Sequence, residues 1–336
     1  MNTIRELFSY VDWARERLLT ALASSDNGAL DHPFEMGEGT LRKTLHHLWG
    51  AEQVWLSRWN GVPSPLDSVD AEEADAIGIA ELSERFQASA AERNAWLAAQ
   101  ESLDRIFRYP RPFWMEAGHD LEINLGVTVL HLANHFPHHG AQAVNMMRRV
   151  GLEPPAIDYI VMRAKNKEAA PDLDAATLRR YLAHGDWAWK TVYDAASTLS
   201  EADRGRTFDI GPGSLRRVLG HLADAPGWWI DNLENGPGAP FPAIDENEPW
   251  DALWPRYQHA AQRRNRALDE IGDLRQGIRL VARPGVEREF PFGVVMTQLC
   301  VHGTYHRAQA LNMLRHAGAE VPSLDVNVWH RLGVGV

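Results

Sequence analysis

Apolar residues recur along this chain at helical spacing. Ile4, Leu7, Phe8, Val11, Leu18 and Leu22 share one face, which predicts an amphipathic helix over 3–24. Leu41, Leu45, Leu48 and Trp55 form a second stripe, and Thr40 stands before it as an N-cap. A third helix is expected over about 74–100. The stretch RIFRYPRPF follows and reads as a hairpin or an extended crossover. A fourth helix is expected over 125–150, stopped by Gly151.

The same order then repeats. FEMGEGTLRKTLHHLWGAEQVW (34–55) matches FDIGPGSLRRVLGHLADAPGWW (208–229) at an offset of 174 residues, and Trp13 and Trp187 fall on that offset too. GVTVLHLANHFPHHGAQAVNMMRRVG (126–151) matches GVVMTQLCVHGTYHRAQALNMLRHAG (293–318) at an offset of 167. Ser214 is the second copy's N-cap, its third helix is expected over about 248–272, IRLVARPGVEREF is its β-like stretch, and its fourth helix covers 293–317. The period is too long and the copies too few for a solenoid. The reading is an all-α chain of two tandem four-helix bundles, each with a short hairpin or extended crossover before its fourth helix. A length of 336 residues suits two domains. The boundary falls in the Pro-rich and charged stretch 152–173, giving copy one as 1–160, a linker 161–173 and copy two as 174–336.

Composition narrows the partners. A net charge of −11 disfavours nucleic acid and anionic membranes, which attract basic faces. No apolar run approaches the roughly 20 residues of a membrane span. The charged start MNTIRELFSYVDWARERLL lacks a signal-peptide core, and Cys300 is the single cysteine, so a cytoplasmic protein is expected. Cys300 lies about 200° around its helix from His302, as a buried, inert thiol would.

Histidine supplies the candidate chemistry. His47 on the second helix is followed by His135 and His139 on the fourth, and His221 is followed by His302 and His306 in copy two. Residues four apart on a helix lie about 40° apart around it and one turn along it, so each pair can reach one ion. The second-helix His flanks an apolar stripe and points inward. Helical bundles build metal sites from facing helices in this way. One His-x-x-x-His pair is weak among fifteen histidines. The same triad in both copies predicts a divalent transition metal, Zn or Ni first and Fe as an alternative, up to one per copy.

Other residues around the triads have less definite roles. Gln142 and Gln309 share the ligand face and either orient a ligand or serve as core amides. His131, one turn before His135, is a candidate pocket residue, as are Trp55 and Trp229, two turns from a ligand. Glu52 interrupts the copy-one stripe and is either a general base or a rim carboxylate, while Pro226 replaces it in copy two. His46 falls toward the polar face and is expected at the surface. Pro137, inside the copy-one pair, is expected to kink its helix.

With those residues in place, the chain resembles the DinB/YfiT-like family. The family's fourth-helix motif, Asn-His-x-x-x-His-Arg-Gly-Gln, has counterparts in NHFPHHGAQ and VHGTYHRAQ, and its second-helix His-Leu has counterparts in HHLWGAEQVW and GHLADAPGWW. The departures are Pro226 for Glu and Val301 for Asn in copy two, and Gly140 for Arg in copy one. The resemblance implies a three-His metal site in each copy. It also implies a pseudo-dimer within one chain, itself a monomer or a dimer. Members of the family include thiol S-transferases and a thiol-dependent isomerase. A small-molecule substrate and a low-molecular-weight thiol co-substrate are therefore expected. A metal-dependent hydrolase and a non-enzymatic metal-binding or structural protein are the alternatives.

Overall fold

The computed structural model describes residues 1–62, 76–109, 120–165, 170–283 and 285–333. The chain divides into two compact units. One is built from Thr3–Ala156 with Asp325–His330, the other from Ile157–Leu324. No helix among the described residues is long and apolar enough to cross a membrane.

The first unit begins with α1 (Asn2–Leu22), whose buried face carries Ile4, Leu7, Phe8, Val11, Leu18 and Leu22 as their spacing predicts. A short α2 (Asn27–Leu30) leads to α3 (Leu41–Asn60). Thr40 caps α3 by accepting from Lys43 N–H, a contact that contributes about 1 kcal/mol. α4 (Ile79–Ala98) packs on α3. β1 (Ile106–Tyr109) and β2 (Leu121–Asn124) pair antiparallel, with Phe107 opposite Ile123. The Pro-rich part of RIFRYPRPF, and the expected start of the third helix at 74–75, lie outside the described residues. α5 (Leu125–Arg149) packs against α3 and contains Pro137.

The second unit opens with α6 (Tyr159–Lys165), within the stretch that separates the copies in sequence. α7 (Ala175–Ser197), α8 (Glu201–Gly205) and α9 (Leu215–Asn235) follow, with Ser214 capping α9 by accepting from Arg217 N–H. A single 3-10 turn leads into α10 (Leu253–Glu270). β3 (Gly277–Arg283) and β4 (Val286–Pro291) form an antiparallel hairpin that feeds α11 (Phe292–His316). Gly318 stops α11 with φ near +77°, and Gly151 stops α5 with φ near +78°. Both are backbone states that a side chain disfavours. α12 (Val326–Arg331), the last described helix, returns to the first unit through His330.

Each core lies between the long helices. In the second unit Trp189 is wholly buried and stacks on Tyr257 with ring centroids 4.3 Å apart. Val192, Leu215, Leu219, Leu253 and Leu314 pack around them. Each such aliphatic side chain contributes about 1.5–3 kcal/mol by leaving water. These cores fix the separation of the second and fourth helices, and therefore the spacing of the histidines they carry.

Candidate metal centre

The two triads assemble. In the first unit, one ring nitrogen each of His47, His135 and His139 lies within 4.8 Å of the others, and the same holds for His221, His302 and His306 in the second. The Nε2 atoms of His47 and His135 are 3.2 Å apart, and those of His221 and His302 are 2.8 Å apart. Two nitrogens on one tetrahedral ion at about 2.0–2.1 Å would be roughly 3.3 Å apart. The first pair matches that span and the second is somewhat closer.

The rings are held with Nε2 free for a ligand role. His139 Nδ1–H donates to Gln142 Oε1 at 2.7 Å, and His306 Nδ1–H to Gln309 Oε1 at 2.8 Å. Gln142 in turn places its amide nitrogen 3.3 Å from His138 Nε2. A proton on Nδ1 leaves the Nε2 lone pair to a metal.

The duplicated glycine loop explains why those amides stay put. Phe34 N–H donates to Gly39 O and Phe208 N–H to Gly213 O, closing the same turn before α3 and α9. Gly37 and Gly211 have φ near +54° and +49°. A Cβ on Gly37 would sit 3.0 Å from Gln142 Oε1, and one on Gly211 would overlap Gln309. The loop backbone thus forms one wall of each glutamine's slot.

Two aspartates outside the helical stripes complete the arrangement. Asp158, just before α6, accepts from His302 Nδ1–H at 3.2 Å. Burial pushes its carboxyl up, but the hydrogen bond from His302, with the nearby imidazoles, brings it below the usual carboxylate range. Asp325, its counterpart at the 167 offset, belongs to the first unit and lies 3.9 Å from His131 Nδ1. Gln298 occupies the place of His131 in copy two and hydrogen-bonds Asp158. The copies then differ. His135 Nδ1 is buried without a hydrogen-bond partner among the described residues. Extending the second repeat block past its helix, to IDY (157–159) and LDV (324–326), exposes both aspartates in sequence.

Electrostatics favour the neutral form of His47, His135, His139, His221 and His306. Burial first, and neighbouring imidazoles second, hold His135 and His306 well below the ordinary histidine range. Burial and then His138 do the same for His139. Burial brings His221 down to about 4 and also lowers His47, against the opposing pull of Glu38. Neutral imidazole is the metal-binding form. The spacing of both triads and the favoured neutral form of these five rings therefore fit a divalent metal.

The remaining candidates are distributed around the triads. His131 packs edge-on to Trp55, with centroids 5.5 Å apart, and lies 5.8 Å from His135. Trp229 is buried against Trp228 and Phe290. Phe241, an exposed loop residue with no helical pattern to mark it, faces His221 at 5.1 Å. Glu52 does not sit at a rim. It is 3% exposed, and its two oxygens accept from Arg15 at 2.9 Å and Arg93 at 2.5 Å. His46 is buried as well, its ring 5.4 Å from Trp49, because that aromatic covers the flank expected to face solvent. Cys300 is buried, and burial pushes its thiol up to about 12, so it stays protonated.

Comparison with curated proteins gives no match. Family comparison gives the same match twice, over residues 1–172 and 162–332, and by these two matches the chain belongs to the DinB family.

Proposed function

We propose that the protein is a metal-dependent enzyme that activates a low-molecular-weight thiol for attack on a small electrophilic substrate. The observation that carries this reading is the convergence of three imidazole nitrogens in each copy. Three protein ligands leave at least one coordination position open, as catalytic rather than structural sites do. A divalent metal held there would supply the positive charge that lowers the pKa of a bound thiol. The chain's own part is positional. Gln142, Gln309 and Asp158 aim the imidazoles, and Phe241 offers an apolar wall beside His221. The presence of two family copies in one chain supports a pseudo-dimeric protein.

For Glu52 we propose a structural role. Both its oxygens already accept from buried guanidinium groups, so taking a proton from water would require breaking an ion pair. This weighs against a hydrolase that uses Glu52 as its base.

The test begins with elemental analysis of wild type beside His135→Ala and His302→Ala. Two equivalents of metal, falling to one in each variant, are expected. The identified metal is then loaded and low-molecular-weight thiols are screened against chlorinated electrophiles. Thiol-dependent turnover that disappears in a triad variant supports the proposal. Metal-loaded protein with no turnover above buffer overturns the S-transferase reading. Ester or amide turnover without thiol would replace it with the hydrolase.

A further inference from the structure

The two copies bury different charges at matching places. In copy one, Arg15 and Arg93 are neutralised by Glu52 and Asp12, two cations against two carboxylates. Copy two has Trp189 where copy one has Arg15, and Pro226 where it has Glu52. Its buried guanidiniums are Arg264, which matches Arg93, and Arg307, which stands where copy one has Gly140.

Arg264 is satisfied. It donates to Asp186 at 2.7 and 3.1 Å, and Tyr257 OH donates to the same carboxylate at 2.6 Å. Arg307 is not. It is 5% exposed, and its one hydrogen bond runs from Nη2 to the neutral Thr304 Oγ1 at 3.0 Å. Among the described residues no carboxylate is within salt-bridge distance of it, and Asp186, which acts on it from farther away, is already paired with Arg264.

The space for this guanidinium is built into the sequence. A Cβ on Gly303 would come within 2.6 Å of Arg307 Nη1, and one on Gly185 within 3.8 Å. Copy one carries Phe136 and Val11 at those places. Beside the guanidinium lies a cavity of about 30 Å³, its walls including Gly185, Trp189, Pro226, Arg264, His302 and Arg307.

A buried cation without a counter-charge is unfavourable, because the water it gives up is not replaced. Arg264 and Arg307 against Asp186 leave one positive charge over. The cavity exceeds the roughly 10–15 Å³ that one water-sized occupant requires, but a large anion does not fit. We propose that copy two binds a small monovalent anion of halide size in this cavity, seated on Arg307, where copy one uses the carboxylate of Glu52. The site is distinct from the metal triad, although His302 forms part of its wall.

The test uses chelator-treated full-length protein, so that no metal attracts halide to the triads. Crystals soaked in sodium bromide are expected to show an anomalous peak within hydrogen-bond reach of the Arg307 guanidinium. In solution, wild type is expected to melt several degrees higher in sodium chloride than in sodium gluconate of equal ionic strength, because gluconate is too large for the cavity. Arg307→Met removes the charge and should abolish the difference. If that variant fails to fold, Pro226→Glu keeps the test open. It installs the carboxylate that copy one carries at this place, and should abolish both the bromide peak and the chloride dependence. A wild-type crystal without bromide at Arg307, or equal melting in the two salts, overturns the proposal.

Discussion

Asp158 Oδ1 lies 3.2 Å from His302 Nδ1, holding an imidazole of the second triad by the nitrogen that faces away from its companions. Partners of this kind fix ring orientation and typically account for about 10–100-fold in metal affinity. Asp158→Asn is therefore expected to weaken metal binding at the second triad by about that factor. The first triad in the same molecule should be unaffected. A competition titration against a chromophoric chelator resolves the two sites. Equal affinity at both sites in the variant would remove Asp158 from the metal site.

Much of this arrangement is legible in sequence because helices are local. The stripe from Ile4 to Leu22, the caps Thr40 and Ser214 and the stops Gly151 and Gly318 follow from spacing and backbone chemistry alone. The triads are legible because duplication displays them twice. Helical periodicity does not mark Asp158 or Phe241, because each reaches its histidine from a segment outside the helical stripes, and only the extended repeat points to Asp158. His46 misleads because a helical wheel gives direction but not what covers it, here Trp49. Glu52 misleads for a related reason. Its two cationic partners lie on other helices, 37 and 41 residues away.

The loop wall behind Gln309 gives a second prediction. Gly211 has φ near +49°, and a Cβ there would overlap the Gln309 amide. Gly211→Ala must either strain the turn or displace the glutamine that orients His306. The backbone cost alone is about 1–2 kcal/mol. A lower urea midpoint is expected, together with weaker metal binding at the second triad alone. Gln309→Ala should reproduce the metal defect with a smaller change in midpoint. If Gly211→Ala loses stability but keeps full metal affinity, the loop does not position the glutamine.

Glu52 offers a prediction about stability rather than turnover. Arg93 is fully buried and Arg15 nearly so, and both donate to Glu52. Glu52→Gln leaves two interior guanidiniums with Asp12 as their remaining carboxylate. Breaking a buried pair from one side costs about 3–5 kcal/mol. A marked fall in the denaturant midpoint is expected, with the metal content of the first triad retained in the folded fraction. A midpoint within experimental error of wild type would show that the network tolerates the loss, and would return Glu52 to consideration as a proton acceptor.

The depressed imidazoles of the triads also set a pH dependence for the metal-free protein. Burial holds His221 down to about 4 and keeps His135, His139 and His306 well below 6.5. In the unfolded chain each would titrate near about 6.5. Between these limits the unfolded state binds more protons than the folded one, so stability rises with pH across the window. The contribution is complete above about 6.5 and declines as pH falls from there toward the folded values. Chelated wild type should therefore show a urea midpoint that is level from pH 8 to about 7 and falls steadily below about 6.5. His221→Ala, which deletes one of the depressed groups, should show a shallower fall. Excess metal should displace the decline to lower pH, because a ligated imidazole resists protonation. A midpoint that stays level down to pH 5 in the chelated protein would mean that the rings are not held neutral by the fold, and would count against a site already prepared for metal.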